Sequence, residues 1–242
     1  MCARSRRWLP VPMRVPVPMR VPVQVPVPVP VPVPVMVVVM AIVMVMVMAS
    51  AVTPGRAHAG APCFDLSRPV TRARVEAPPG QRPGDHGASG ETQDGRAWAH
   101  LRGRVGKSIE RLLQILQDHQ RMRDPSIDAL SVERRERGPH LARTRVHSLV
   151  KPFLFVSVEW TDDWAYTLVE GTPEAPRKIV VSYQKIEGTN HIEHFCGNVV
   201  LSRIDASTTE VYQYEESKIT GRSEQDQAES LAGLLALLRS PP

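Results

Sequence analysis

Three cysteines in 242 residues are too few for a disulfide framework, and one of them, Cys2, stands in a stretch without a single acidic residue. Residues 1–59 also lack lysine; Arg4, Arg6, Arg7, Arg14, Arg20 and Arg56 are their only charges. The formal +5 of the whole chain minus the +6 of this stretch leaves −1 on residues 60–242. The basic pI of about 9.4 therefore belongs to the leader. A nucleic-acid-binding domain needs its basic surface on the folded part, so that reading loses its electrostatic basis. The chain has no glycine-rich phosphate loop, no serine nucleophile elbow and no Cys-His pair at a recognisable spacing. No cofactor is expected.

What is present divides the chain into three. From Pro10 to Pro34 valine alternates with proline, with Met, Arg and Gln interruptions. Proline removes the amide donor and fixes φ, so this stretch reads as extended, polyproline-like chain rather than helix or central strand. Val35 to Val52 follow, with Ser50 the one polar residue in 18 positions, long enough to span a thin bilayer. Arginines upstream, this apolar centre and Ala57-His58-Ala59 after it form a secretory-signal pattern. It predicts cleavage near Ala59 and export to the periplasm or the exterior. An uncleaved membrane anchor over residues 35–52 is the alternative. A Val-Pro repeat serves no purpose in export, so Met13 or Met19 is a better start than Met1. Residues 60–95 are rich in Pro, Gly, Arg and Asp, have little apolar periodicity, and read as a disordered linker.

Residues 96–240 carry the pattern of a folded α+β domain. Trp98 to Val105 reads as a strand with Ala99, Leu101, Gly103 and Val105 on one side. Ser108 caps a helix whose Ile109, Leu112, Leu113 and Leu116 share one stripe, ending before Asp124-Pro125. Ile127–Glu136 and Leu141–Val150 are strands separated by Gly138-Pro139. Phe153–Trp160 and Trp164–Glu170 are expected to pair around a turn at Thr161, Asp162 and Asp163. In Lys178–Lys185, Ile179, Val181 and Tyr183 alternate with Val180, Ser182 and Gln184. Ile192–Leu201 follows a turn at Glu187–Asn190, and Thr208–Glu216 completes the run. A helix over Glu224–Arg239, capped by Ser223 with Asp226, buries Leu231, Leu234, Leu235 and Leu238.

The chemistry-bearing residues each have a plain structural reading beside the functional one. His191, Glu193, His194 and Cys196 cluster like metal ligands, yet i and i+3 on a strand face opposite ways. His191 and His194 therefore cannot both face one ion unless the first lies in the turn; His194 and Cys196 do share a face, but two ligands are too few for zinc. No metal is therefore expected. Cys63 and Cys196 could bridge if the domain is exported. A tail cysteine has no evident reason to meet that strand, so free thiols are preferred. Asp162-Asp163 reads as a hairpin turn and Glu215-Glu216 as a strand end or edge.

Lys151-Pro152-Phe153, Val158-Glu159-Trp160, Gly188-Thr189, Cys196-Gly197, Thr208-Thr209-Glu210-Val211, Tyr214-Glu215-Glu216 and Arg222-Ser223 stand in this order along the elements. With that order of elements, over about residues 97–239, they resemble the START-like superfamily, also called SRPBCC or polyketide cyclase/dehydrase and lipid-transport proteins. The resemblance implies a helix-grip fold, a curved antiparallel sheet wrapped around a long C-terminal helix and enclosing an apolar cavity. It implies binding of a hydrophobic small molecule or lipid. Two alternatives stand beside it: a cyclase- or aromatase-like enzyme in which Tyr183 or His194 polarises a carbonyl, and a non-catalytic interaction module with a filled core. Cavity candidates are Phe153, Phe155, Trp164, Tyr166, Tyr183, Leu231 and Leu235, aromatic walls and leucines suited to apolar ligands. No residue is singled out as catalytic.

Overall fold

Period-2 alternation becomes one antiparallel sheet of eight strands in a computed structural model that describes residues 62–75, 85–153 and 156–241. The strands are β1 (His86–Glu91), β2 (Ala97–Val105), β3 (Ala129–Arg134), β4 (Ala142–Phe153), β5 (Val156–Gly171), β6 (Pro176–Gly188), β7 (Ile192–Arg203) and β8 (Thr209–Ile219). Their order across the sheet is β1-β2-β8-β7-β6-β5-β4-β3. From β3 to β8 each strand lies beside the next in sequence, and β2 returns to pair with β8. The Val-Pro repeat, the signal pattern, the possible anchor and Phe155 lie outside the described residues.

Two helices, α1 (Ile109–Gln117) and α2 (Glu224–Arg239), cover one face. Ser108 caps α1 by accepting from the Arg111 amide, and Ile109, Leu112, Ile115 and Leu116 form its buried stripe. Ser223 and Asp226 form a reciprocal capping box at the start of α2, as their spacing predicts. The buried stripe of α2 is Gln227, Leu231, Leu235 and Leu238. Gly103 lets α2 lie close on β2: a Cβ there would stand 2.7 Å from Leu235 Cδ2. Val105, Leu112, Val181, Leu201, Leu235 and Leu238 belong to the single core between helices and sheet.

Four expectations are corrected. β5 runs unbroken for 16 residues, so Thr161, Asp162 and Asp163 lie within a strand and not in a turn. Asp163 is held by Arg145 Nε at 2.9 Å, and Asp162 accepts from Trp160 Nε1 at 2.9 Å. These partners give a side-chain hydrogen bond to each of two residues that strands otherwise disfavour, though only Oδ2 of Asp162 is engaged. Glu215 and Glu216 stand on β8, an inner strand flanked by β2 and β7, and both are buried.

The stretch expected to be a linker is structured over two parts. Residues 86–91 are strand β1, and residues 62–75 lie as a strap against the outer face of the sheet, with Phe64 and Leu66 buried. The strap has no periodicity of its own because distant side chains complete its backbone. Gln184 accepts from the Phe64 amide at 2.9 Å and donates to its carbonyl at 3.0 Å, and Asn198 Oδ1 accepts from the Arg74 amide at 2.7 Å. That docking brings Cys63 to Cys196, and the two form a disulfide with Cα atoms 6.4 Å apart, so neither is the free thiol preferred from the sequence. Closing a loop of this length constrains the unfolded chain by roughly 5 kcal/mol.

Candidate functional site

Register places the central residues of the helix-covered face in one row. Trp164 pairs with Tyr183, Tyr183 with Gly197 and Gly197 with Glu215, across β5, β6, β7 and β8. The Trp164 and Tyr183 rings stack with centroids 4.4 Å apart, and Phe195 flanks Tyr183 at 5.6 Å. Gly197 contributes no side chain; a Cβ there would lie 2.4 Å from the Tyr183 hydroxyl. The tyrosine therefore reaches across β7 and donates to Glu215 Oε2 at 2.5 Å. Gln227, in the first turn of α2, donates to Glu215 Oε1 and accepts from Ser217 Oγ at 2.7 Å. Arg222 stands 3.8 Å from the same carboxylate.

Asp162 shares this face, opposite Lys185. Burial pushes its carboxyl up to about 7, against the Trp160 hydrogen bond, with the Glu215 carboxylate adding to the rise. Burial likewise raises Glu215, opposed by Arg222, Tyr183 and Gln227. Tyr183 is held well above its ordinary value by burial and by that carboxylate. Two buried carboxyls whose protonated form burial favours thus stand beside the aromatic wall that contains Tyr183. Asp162 Oδ1, Trp164 Nε1 and both amide atoms of Gln213 are buried without a protein partner. At the edge of the wall, His119 packs edge-on to Trp164 and bonds Thr144 Oγ1 at 2.9 Å, and burial lowers it to about 4.

The sequence-derived residues fall into two groups on this face. Trp164, Tyr166 and Tyr183 meet near the end of α1, where Tyr166 donates to the Leu116 carbonyl at 2.8 Å. Leu231 and Leu235 are buried on α2, which lies on β1, β2 and β8. The Tyr183–Glu215–Gln227 chain connects the two ends. Phe153 closes β4. Asp162, Phe195, Gly197, Glu215 and Gln227 are the members that sequence reasoning missed. Gln227 was findable, since it stands four residues before Leu231 on the same stripe.

The outer face carries a second cluster. His194 is there, so it takes no part beside Tyr183. Its Nε2 lies 3.4 Å from Cys63 Sγ, 3.6 Å from Cys196 Sγ and 2.7 Å from Glu216 Oε1. Glu216 also accepts from Arg96 at 2.7 Å and Tyr214 at 2.6 Å, with Arg74 at 3.1 Å. Burial alone would raise its carboxyl, but bonds from His194 and Tyr214 and the Arg74 charge bring it down to about 2. Of the four residues that suggested metal ligands in the sequence, the structure groups only His194 and Cys196; Glu193 pairs with Lys218 at 2.7 Å. Two open grooves also lie on this face, one of about 540 Å³ beside Arg145, His147 and Glu187 and one of about 290 Å³ beside Arg102 and Tyr212. Charged and polar side chains make up most of both linings, with Ala73, Val200 and Tyr212 beside the second.

No family model matches the chain, and no curated protein matches it. Solved structures do. A STAR-related lipid transfer protein from Xanthomonas axonopodis is 15% identical, with 66% of this chain and 94% of that one covered and a TM-score of 0.47. An aromatase/cyclase from a Streptomyces species is 13% identical over 59% of this chain and 86% of the other, TM-score 0.38. A START superfamily protein from Mycobacterium smegmatis is 14% identical over 58% and 90%, TM-score 0.38. These likenesses, all at 15% identity or less, concern fold alone.

Proposed function

We propose that the chain binds a hydrophobic small molecule or lipid with a polar head against the helix-covered face, between the Trp164–Tyr183–Phe195 wall and the first turn of α2. One observation carries this reading: Asp162 Oδ1 and Trp164 Nε1 are buried without protein partners beside that wall. A buried polar atom left unpaired costs about 1–3 kcal/mol, which a ligand's polar group offsets while its apolar body gains about 25 cal/mol per Å² buried. Residues 1–59 then serve export, with cleavage near Ala59. The Cys63–Cys196 disulfide supports an oxidising destination.

The test is thermal unfolding of residues 60–242, disulfide intact, against a panel of fatty acids, phospholipids, sterols and quinones. A binder present at a hundredfold over its Kd adds about 2.7 kcal/mol and raises Tm by roughly 5–10 °C. A panel that moves nothing in the wild type would overturn the reading.

A second reading rests on Asp162 itself. A buried carboxyl with its pKa near 7 is suited to giving and taking a proton at neutral pH, and Tyr183 beside it can polarise a carbonyl. An Asp162→Asn protein that still binds but no longer turns over a bound polyketide would favour the enzyme over the carrier.

A further inference from the structure

We infer that reduction of the Cys63–Cys196 disulfide converts the outer-face cluster of Cys63, Cys196, His194 and Glu216 into a four-ligand site for Zn²⁺. One ligand atom from each residue, two Sγ, the His194 imidazole nitrogen and a Glu216 carboxylate oxygen, lies within 4.8 Å of the other three. Bonds of about 2.0–2.3 Å to tetrahedral zinc give ligand-to-ligand edges of about 3.3–3.8 Å. The separations of His194 Nε2 from the two sulfurs, 3.4 and 3.6 Å, already match such edges. The two sulfurs must part, and Glu216 must open from its 2.7 Å bond to His194. Both are side-chain movements, because Cys196, His194 and Glu216 are fixed on paired strands and Cys63 on the docked strap.

Charge fits as well. Two thiolates, a carboxylate and Zn²⁺ leave one negative charge, and Arg74 and Arg96, both already on Glu216, lie against it. A dithiol reductant supplies the two electrons: the S–S bond breaks to two thiols while the reductant closes its own disulfide. Zn²⁺ then binds as two thiol protons pass to solvent. The cluster therefore has two closed states, one covalent and one metal-bound, and either keeps the strap docked. This inference is independent of any ligand on the helix-covered face.

The test uses the full chain carrying Cys2→Ser, stripped of metal and handled without oxygen. Zinc content is measured before and after reduction by a non-chelating phosphine, and Co²⁺ replaces zinc as a spectroscopic probe. The expected result is one metal per reduced chain and none per oxidised chain, with a thiolate-to-cobalt charge-transfer band. His194→Ala should weaken binding at least about tenfold, and Cys196→Ser should abolish the band. Equal metal content in both redox states, or a band that survives Cys196→Ser, overturns the site. So does reduction that unfolds the protein without rescue by zinc, read from its circular dichroism; this last outcome needs no variant to fold.

Discussion

At the scale of single residues, Asp162 sets the pH response. Its folded value, about 7, lies above that of an unfolded aspartate, so the folded state holds the proton more tightly. Its contribution is complete below about pH 4 and is lost as pH rises through 7. Asp162→Asn removes that loss. The variant should match the wild type near pH 4 and exceed it at pH 8 by up to about 4 kcal/mol in urea unfolding. His119, lowered to about 4, acts in the opposite direction in both proteins and cancels in the difference. A difference independent of pH would show that Asp162 is not the group responsible. Little of this was legible beforehand, since two adjacent aspartates fit a turn on propensity alone. Their burial depends on Trp160, Arg145 and register with β6, none of which adjacency reveals. Tyr183, by contrast, sits on the face that its alternation assigns, whereas the part played by Gly197 emerges only once β7 lies beside it.

Among the elements, α2 was the most legible: capping box, leucine spacing and the prolines beyond it fix Glu224–Arg239 as observed. Its hidden feature is Gln227, a polar member of the buried stripe that joins the helix to β8 through Glu215 and Ser217. Gln227→Leu removes a donor from a buried carboxylate and should cost about 2–4 kcal/mol in urea unfolding. Adding Glu215→Gln, which removes the charge left behind, should recover most of that loss. No recovery would mean that shape rather than charge governs the contact. The strap at residues 62–75 was the least legible element. Its order comes from Gln184, Asn198 and Cys196, each more than a hundred residues away, and no local periodicity records such partners.

For the molecule as a whole, element order was enough to foresee one antiparallel sheet with a helix across it, because successive strands at hairpin spacing have few other ways to pair. The domain's N-terminal limit was not foreseen. A fragment starting at residue 96, where the sequence pattern begins, lacks β1, the strap and the disulfide. It also uncovers Val180, Val200, Tyr212 and Tyr214, which form an apolar cluster with Val70 and Ala73 on the outer face. Residues 96–242 should therefore melt at least about 10 °C below residues 60–242. Equal melting temperatures would mean that the strap adds nothing. The separation of 133 positions from Cys63 to Cys196 also imposes an order in time. A ribosome delivers the first thiol long before the second, so the strap must wait unpinned until β7 has emerged. During that interval, the nascent chain depends on whatever holds Cys63 away from other partners.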